Sequence, residues 1–269
     1  MIAANTGAFR LATLLVAGQP IMVTQAAAPG FGQTISLVAN ASGDSPTIAP
    51  NMWVEIKGSN LAPAGDARVW QGSDFVNNEM PTVLDGVSVT MNGKNAYVYY
   101  ISANQINILT PPDLTVGPVQ VTVTIGGVTS AVFTIQAQQY PPSFFVFNGG
   151  PYVAATHSDS SLIGPVSLYP GLTTPAKPGV VIVLYANGFG PTSPPVASGS
   201  ASQTGSLPAL PLVKIGGVSA TVQFAGLVSP GLYQFNVVVP ASAPDGDNAV
   251  TATYNGTTTQ AGTLLTVQR

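Results

Sequence analysis

Apolar and polar residues alternate with a period of two along most of this chain. Val119-Gln120-Val121-Thr122-Val123-Thr124-Ile125 is the cleanest run, and Gly86-Val87-Ser88-Val89-Thr90-Met91 has the same form upstream. Successive side chains of a strand point to opposite faces, so these runs predict strands with one dry and one wet face. Asn92-Gly93, Gly126-Gly127, Gly216-Gly217 and Asn255-Gly256 separate such runs. Each pair suits a two-residue hairpin turn, which needs positive φ at both central positions. The predicted partner strands are Ala96 to Tyr100, Ser130 to Ile135, Leu212 to Ile215, Ala220 to Phe224, Tyr233 to Val239, Ala249 to Tyr254 and Gly262 to Val267. Helix signals are nearly missing, because 29 Gly and 24 Pro break most windows of helical length. Short strands at this spacing predict an antiparallel β-sandwich.

The pattern occurs twice. Gln105-Ile106-Asn107-Ile108-Leu109-Thr110-Pro111 returns as Gln234-Phe235-Asn236-Val237-Val238-Val239-Pro240, an offset of 129 residues. Pro50-Asn51 before Val54 to Leu61 likewise resembles Pro178-Gly179 before Val181 to Gly188. A repeat of this length is a pair of like domains, not a solenoid of small units. The expected class is therefore all-β: two tandem Ig-like antiparallel β-sandwiches with an extra N-terminal β segment. Expected boundaries are 1–27 for that segment, 28–138 and 143–269 for the domains, and 139–142 for a Pro-rich joint stiffened by Pro141-Pro142. Pro191 to Leu210, rich in Ser, Pro, Gly and Ala, is expected to be a surface loop.

Charge narrows the functional classes. Lys and Arg number 7 and Asp and Glu 10, so only 6% of the 269 residues are charged and the net charge is −3. No basic face is available to neutralise phosphates, which argues against nucleic acid as a partner. A 45% apolar content is too high for a disordered chain, and no apolar run is long enough for a membrane span. Cys is absent and His157 is the single histidine, so thiolate and multi-histidine metal sites are unavailable. No cofactor or metal is expected. A Cys-free, acidic, Thr/Ser/Gly/Pro-rich chain fits a protein exported to the cell surface or beyond.

The first residues have two readings. Leu11 to Ala17 followed by Ala26-Ala27-Ala28 has the outline of a signal peptide, with Arg10 as its charged flank, although Gly18-Gln19-Pro20 interrupts the core. Alternatively, Arg10 to Ala17 and Ile21 to Gln25 are two strands joined at Gly18-Gln19. The second reading is preferred here. Asn5-Thr6-Gly7-Ala8 and Val16 to Gln25 resemble the closing hairpin of BACON-type Ig-like domains of bacterial surface proteins, which implies a chain extending further upstream. A lone hairpin is marginally stable, so it must pack on the first domain or pair with another molecule.

Pro178-Gly179-Val180-Val181-Ile182-Val183-Leu184-Tyr185-Ala186-Asn187-Gly188-Phe189-Gly190-Pro191, Ile215-Gly216-Gly217, Ala225-Gly226-Leu227 and Gly231 to Pro240 occur in order. These motifs resemble an uncharacterised acidobacterial (Solibacter-type) C-terminal domain family related to the IPT/TIG Ig-like fold. The resemblance covers about 141–268, and 33–137 resembles the same family more weakly. It implies an exported or surface-attached accessory module and brings no catalytic residues.

Asp245-Gly246-Asp247-Asn248 has the look of a calcium loop but lacks the later Glu ligand, and it suits an ordinary turn. His157-Ser158-Asp159 sets a base beside hydroxyls and a carboxylate, yet sequence neighbours rarely form a catalytic triad. Phe144, Phe145, Phe147 and Tyr152 are read as core, with a sugar platform as the alternative. Trp53 is expected to be buried and Trp70 exposed. Gln105 with Asn107 and Gln234 with Asn236 are expected to satisfy backbone groups where each strand leaves its sheet. No catalytic or metal residue is assigned, and no ligand-binding residue is identified. The reading is a non-enzymatic structural or adhesive module that pairs with copies of itself or with neighbouring domains, its N-terminal segment acting as a donor strand. A carbohydrate-binding module is the alternative.

Overall fold

A computed structural model describes residues 3–7, 9–28 and 32–269. The chain is all-β and forms two tandem β-sandwiches. The only helical features among the described residues are two three-residue 3-10 turns, Gly72–Asp74 and Phe147–Gly149. In the first sandwich, one sheet runs in the order Thr34–Asn40, Trp53–Ser59, Gln105–Leu109, Tyr97–Ile101 and Arg68–Val69. The facing sheet is centred on Gly117–Ile125, which pairs with Phe133–Ala137 on one side and Val87–Met91 on the other. The alternation read from the sequence is the burial pattern: Val119, Val121, Val123 and Ile125 enter the core, with Val87, Val89 and Met91 beside them.

The second sandwich repeats the connectivity. Val181–Asn187 pairs with Leu232–Val238 as Trp53–Ser59 pairs with Gln105–Leu109. Gly246–Tyr254 pairs with Leu212–Ile215 and with Leu264–Val267, as Gly117–Ile125 does with its two neighbours. All four predicted glycine turns have positive φ at both residues: 50° and 78° at Asn92-Gly93, 57° and 86° at Gly126-Gly127, 59° and 79° at Gly216-Gly217, and 46° and 82° at Asn255-Gly256. Short strands at Ala155–His157, Leu162–Ile163 and Thr173–Thr174 extend the second copy, too brief to leave a periodic signature in the sequence.

The predicted return strand from Ala96 to Tyr100 needs correction. Only Lys94–Asn95 returns along Val87–Met91, and Tyr97–Ile101 crosses into the opposite sheet. Val218–Ser219 and Thr221–Ser229 make the same crossing in the second copy. Strands that switch sheets make the corners of a sandwich. The choice of sheet is set by which core the strand closes, and a local alternation does not encode it.

The sandwiches meet along a polar seam. The Asn187 amide nitrogen donates to Trp53 O at 2.8 Å and to Asn40 Oδ1 at 3.1 Å, while its oxygen accepts from Trp53 N at 3.0 Å. Trp53 Nε1 donates to Pro230 O at 2.8 Å, and Asn40 Nδ2 donates to Ser143 Oγ at 2.8 Å. Gly231 has φ +63 and lies under Trp53, where a Cβ would come within 2.9 Å of the indole. The 191–210 segment lies largely at the surface, as expected, but it is also tied to the first sandwich. Gly199 O accepts from Met80 N at 2.8 Å and Ala201 N donates to Asn78 O at 2.9 Å, latching the second sandwich to the first.

Buried donors and acceptors left without partners cost about 1–3 kcal/mol each. Asn187→Ala strands Trp53 N–H, so it should destabilise the protein by about 2–4 kcal/mol. Calorimetry should then show the melting transition lowered by several degrees and broadened, while a surface control such as Ser242→Ala, at an exposed turn position, leaves it unchanged.

Candidate interaction surfaces

The N-terminal segment is a hairpin. Arg10–Val16 pairs with Gln19–Gln25 in seven-residue register, closed at Ala17-Gly18 with φ of 50° and 79°. The turn is one residue earlier than expected, because Ala17 and Gly18 take the two positive-φ positions. Phe9, at its base, is 6% exposed and belongs to the first core. Its ring lies over Gly126, where a Cβ would come within 2.0 Å of Phe9. Leu11 and Ala27 pack on the same core. Beyond them the hairpin is solvated: Leu15 is 75% and Met22 66% exposed, with Leu14, Val16 and Ile21 also exposed. Among the described residues, neither outer edge of the hairpin pairs with another strand.

A second feature is an aromatic group on the outer face of the first sandwich. Trp53, Trp70, Tyr99 and Phe75 meet edge to face, with centroids 5.0 to 5.8 Å apart. Trp70 is therefore not the free ring expected; it is half-buried and shares its faces with three neighbours. Its loop is held by Arg68, which donates to Asp85 at 2.6 and 3.0 Å and to Asp74 at 2.7 and 3.1 Å. Those bonds hold the Asp74 carboxyl below its usual range, and the Gln71 backbone N–H adds to the effect.

The other sequence candidates stay apart. His157 Nε2 faces Thr174 Oγ1 at 2.9 Å, whereas Asp159 accepts from Ser161 Oγ at 2.6 Å and from Ser161 N at 3.0 Å. The carboxylate is thus not orienting the imidazole, and no relay is assembled. The acidic segment opens the Gly246–Tyr254 strand and is not the turn expected; Asp247 accepts from Thr266 and Tyr152 hydroxyls at 2.6 and 2.9 Å, and Asp245 from Arg269 at 3.0 Å. Its carboxylates address different protein groups, not one common point. No group of three or more His, Asp or Glu side chains among the described residues could hold a metal ion.

Phe144 is fully buried 6.2 Å from Phe235, and Phe147 meets Tyr169 at 5.7 Å. The recurring Gln and Asn do not reach the backbone as expected. Gln105 Nε2 donates to Asn107 Oδ1 and Gln234 Nε2 to Asn236 Oδ1, both at 2.8 Å. Two residues apart on a strand, these side chains share a face and satisfy each other.

An IPT/TIG domain is present: the model of that family matches residues 53–140, about a third of the chain. The match falls on the first sandwich, the copy with the weaker resemblance by motif. No match was found among curated proteins. Among solved structures, SGBP-B of the Bacteroides ovatus mixed-linkage glucan utilization locus, solved with a mixed-linkage heptasaccharide, is 13% identical with TM-score 0.38. That alignment covers 94% of this chain and 50% of SGBP-B, so the chain spans half the length of that protein. The Escherichia coli adhesin FdeC is 12% identical over 94% of this chain and 69% of its own, with TM-score 0.25. Invasin, a bacterial integrin-binding protein, is 16% identical over 91% and 42%, with TM-score 0.23. At these scores none of the three carries an argument about function. No helix among the described residues is long and apolar enough to cross a membrane.

The Arg68 clamp yields a pH-dependent expectation. A carboxyl with a lowered folded-state pKa contributes stability that is present above its ordinary value and is lost as pH falls through the lowered one. Arg68→Ala should cost about 1–2 kcal/mol at neutral pH. The gap in melting temperature between this variant and the native protein should hold above the usual value of 3.8 and close below it. A gap independent of pH down to about 2 would mean that Asp74 is not the partner that matters.

Proposed function

We propose that the protein is a non-enzymatic structural or adhesive module of the bacterial cell exterior that associates with its own kind through the N-terminal hairpin. The observation that carries this reading is the Arg10–Gln25 hairpin, rooted in the first core by Phe9 and bearing a solvated apolar tip with two unpaired seven-residue edges. Unpaired strand edges invite pairing with another chain. A strand pair held ready at one end of a sandwich is the donor that β-strand addition requires. In this reading residues 1–27 are the donor segment, 28–138 and 143–269 are the two Ig-like domains, and 139–142 is their joint. Resemblance of the second domain to the Solibacter-type family and of the hairpin to a BACON closing hairpin supports an exported module within a longer protein. The absence of Cys and the 6% charged content agree with that location.

A carbohydrate-binding module is the second reading. It is favoured by the half-buried Trp70, Tyr99 and Phe75 rings on the outer sheet face. Light scattering on residues 1–269 beside a form lacking 1–27 separates the two. Large or polydisperse species that collapse to monomer on truncation are the expected result. Two monomeric species would sink the self-association reading, and loss of glucan retention on Trp70→Ala in affinity electrophoresis would replace it with the second.

A further inference from the structure

The two sandwiches enclose a cleft of about 420 Å³ at their junction. Asn51, Pro112 and Val116 line it from the first sandwich, and Pro195, Leu227 and Tyr233 from the second. No lining residue carries a charge. Leu227 and Tyr233 form a buried floor, and the Tyr233 hydroxyl is engaged by Gly190 O. The rim is open: Val116 is 59% exposed. Asn51 is only 6% exposed, with both amide atoms buried and neither hydrogen-bonded. A buried carboxamide with no protein partner has hydrogen-bonding capacity left for a water or a bound group. The terminal torsion of Asn is soft, so a small rotation turns its donor or its acceptor toward an occupant of the cleft. Junctions between domains are common places for such sites, and the volume lies within the usual range.

Resting on the self-association reading, we propose that this cleft is the acceptor for the hairpin tip of a second copy of the chain. Residues 11–25 carry no charge, which matches an uncharged cleft. Leu14, Leu15 and Val16 offer apolar side chains to Pro112, Val116, Pro195 and Leu227. The Ala17-Gly18 turn brings peptide N–H and C=O groups at the tip, the pair that the Asn51 carboxamide complements. A sugar is the poorer fit, because no ring in the cleft offers an open face on which it could stack. The hairpin tip is solvated and is not seated in the molecule's own cleft. Phe9 sits at Gly126, directly after the nine-residue Gly117–Ile125 strand, whereas Val116 directly precedes it. At about 3.4 Å per residue the donor and acceptor ends stand roughly 30 Å apart. A contact from one end to the other joins different surfaces of two copies, so it propagates head to tail unless two copies exchange hairpins or a ring closes.

The test is sedimentation velocity on the full chain over a range of concentrations. Leu15→Glu and Val116→Lys, both at exposed positions, should each weaken association at least tenfold, and the double variant should recover most of it. Asn51→Gly keeps the positive φ of 51° and removes the amide; it should weaken association about tenfold, the loss of roughly one hydrogen bond. Circular dichroism and melting curves check that every variant folds. If Leu15→Glu disperses the assembly while Val116→Lys and Asn51→Gly associate normally, the acceptor lies elsewhere: this inference fails and the donor reading stands. If the form lacking 1–27 associates like the full chain, the donor reading itself fails. If neutral oligosaccharides raise the melting temperature of the native protein but not of Val116→Lys, with association unaffected, the cleft takes a sugar and the proposal is overturned.

Discussion

The seam between the two sandwiches is built around one buried carboxamide. Asn187 uses both of its amide hydrogens and its oxygen on the first sandwich, binding Trp53 N–H, Trp53 C=O and Asn40. It is fully buried, and without it the Trp53 N–H would stand unpaired, whereas Trp53 O and Asn40 Oδ1 keep Ala41 N–H, Ser42 N–H and the Ser143 hydroxyl. Trp53 in turn reaches Pro230 and carries the Trp70, Tyr99 and Phe75 rings on its flank. The junction cleft exists because this seam holds Pro112 and Val116 opposite Pro195 and Leu227. A flexible tether between the same domains would leave no cleft of fixed shape.

Much of the fold was legible in the sequence. Period-two runs and glycine pairs are local signals, and the strands and turns they mark fell where expected, in both copies and with the same connectivity. What was missed is decided by contacts distant in sequence. Tyr97–Ile101 follows the Asn92-Gly93 turn like a return strand, yet it joins the sheet whose core needs it. Trp70 lies in a polar stretch that suggests exposure, but Trp53 and Tyr99 cover it from elsewhere in the chain. Asn187 belongs to a recognisable motif, although nothing in that motif names Trp53 as its partner. Asn51 gave no signal at all, since an unsatisfied amide is defined only by its surroundings.

The edges of the sandwiches sharpen the argument about the hairpin. With 6% charged residues, the chain has few lysines or acids with which to block unwanted strand pairing. It uses brevity instead. Arg68–Val69, Thr47–Ile48, Val83–Leu84, Thr173–Thr174 and Gly205–Ser206 are two-residue strands at the margins of their sheets. The longer edge strand Thr34–Asn40 is bulged between Ile35 and Leu37. Against that pattern the hairpin has two seven-residue edges, missing one outward N–H donor at Pro20, and apolar side chains on both faces of its tip. A chain that shortens or kinks its edges elsewhere but leaves these open, on an element that cannot bury its own apolar surface, has an element whose stable state includes a partner.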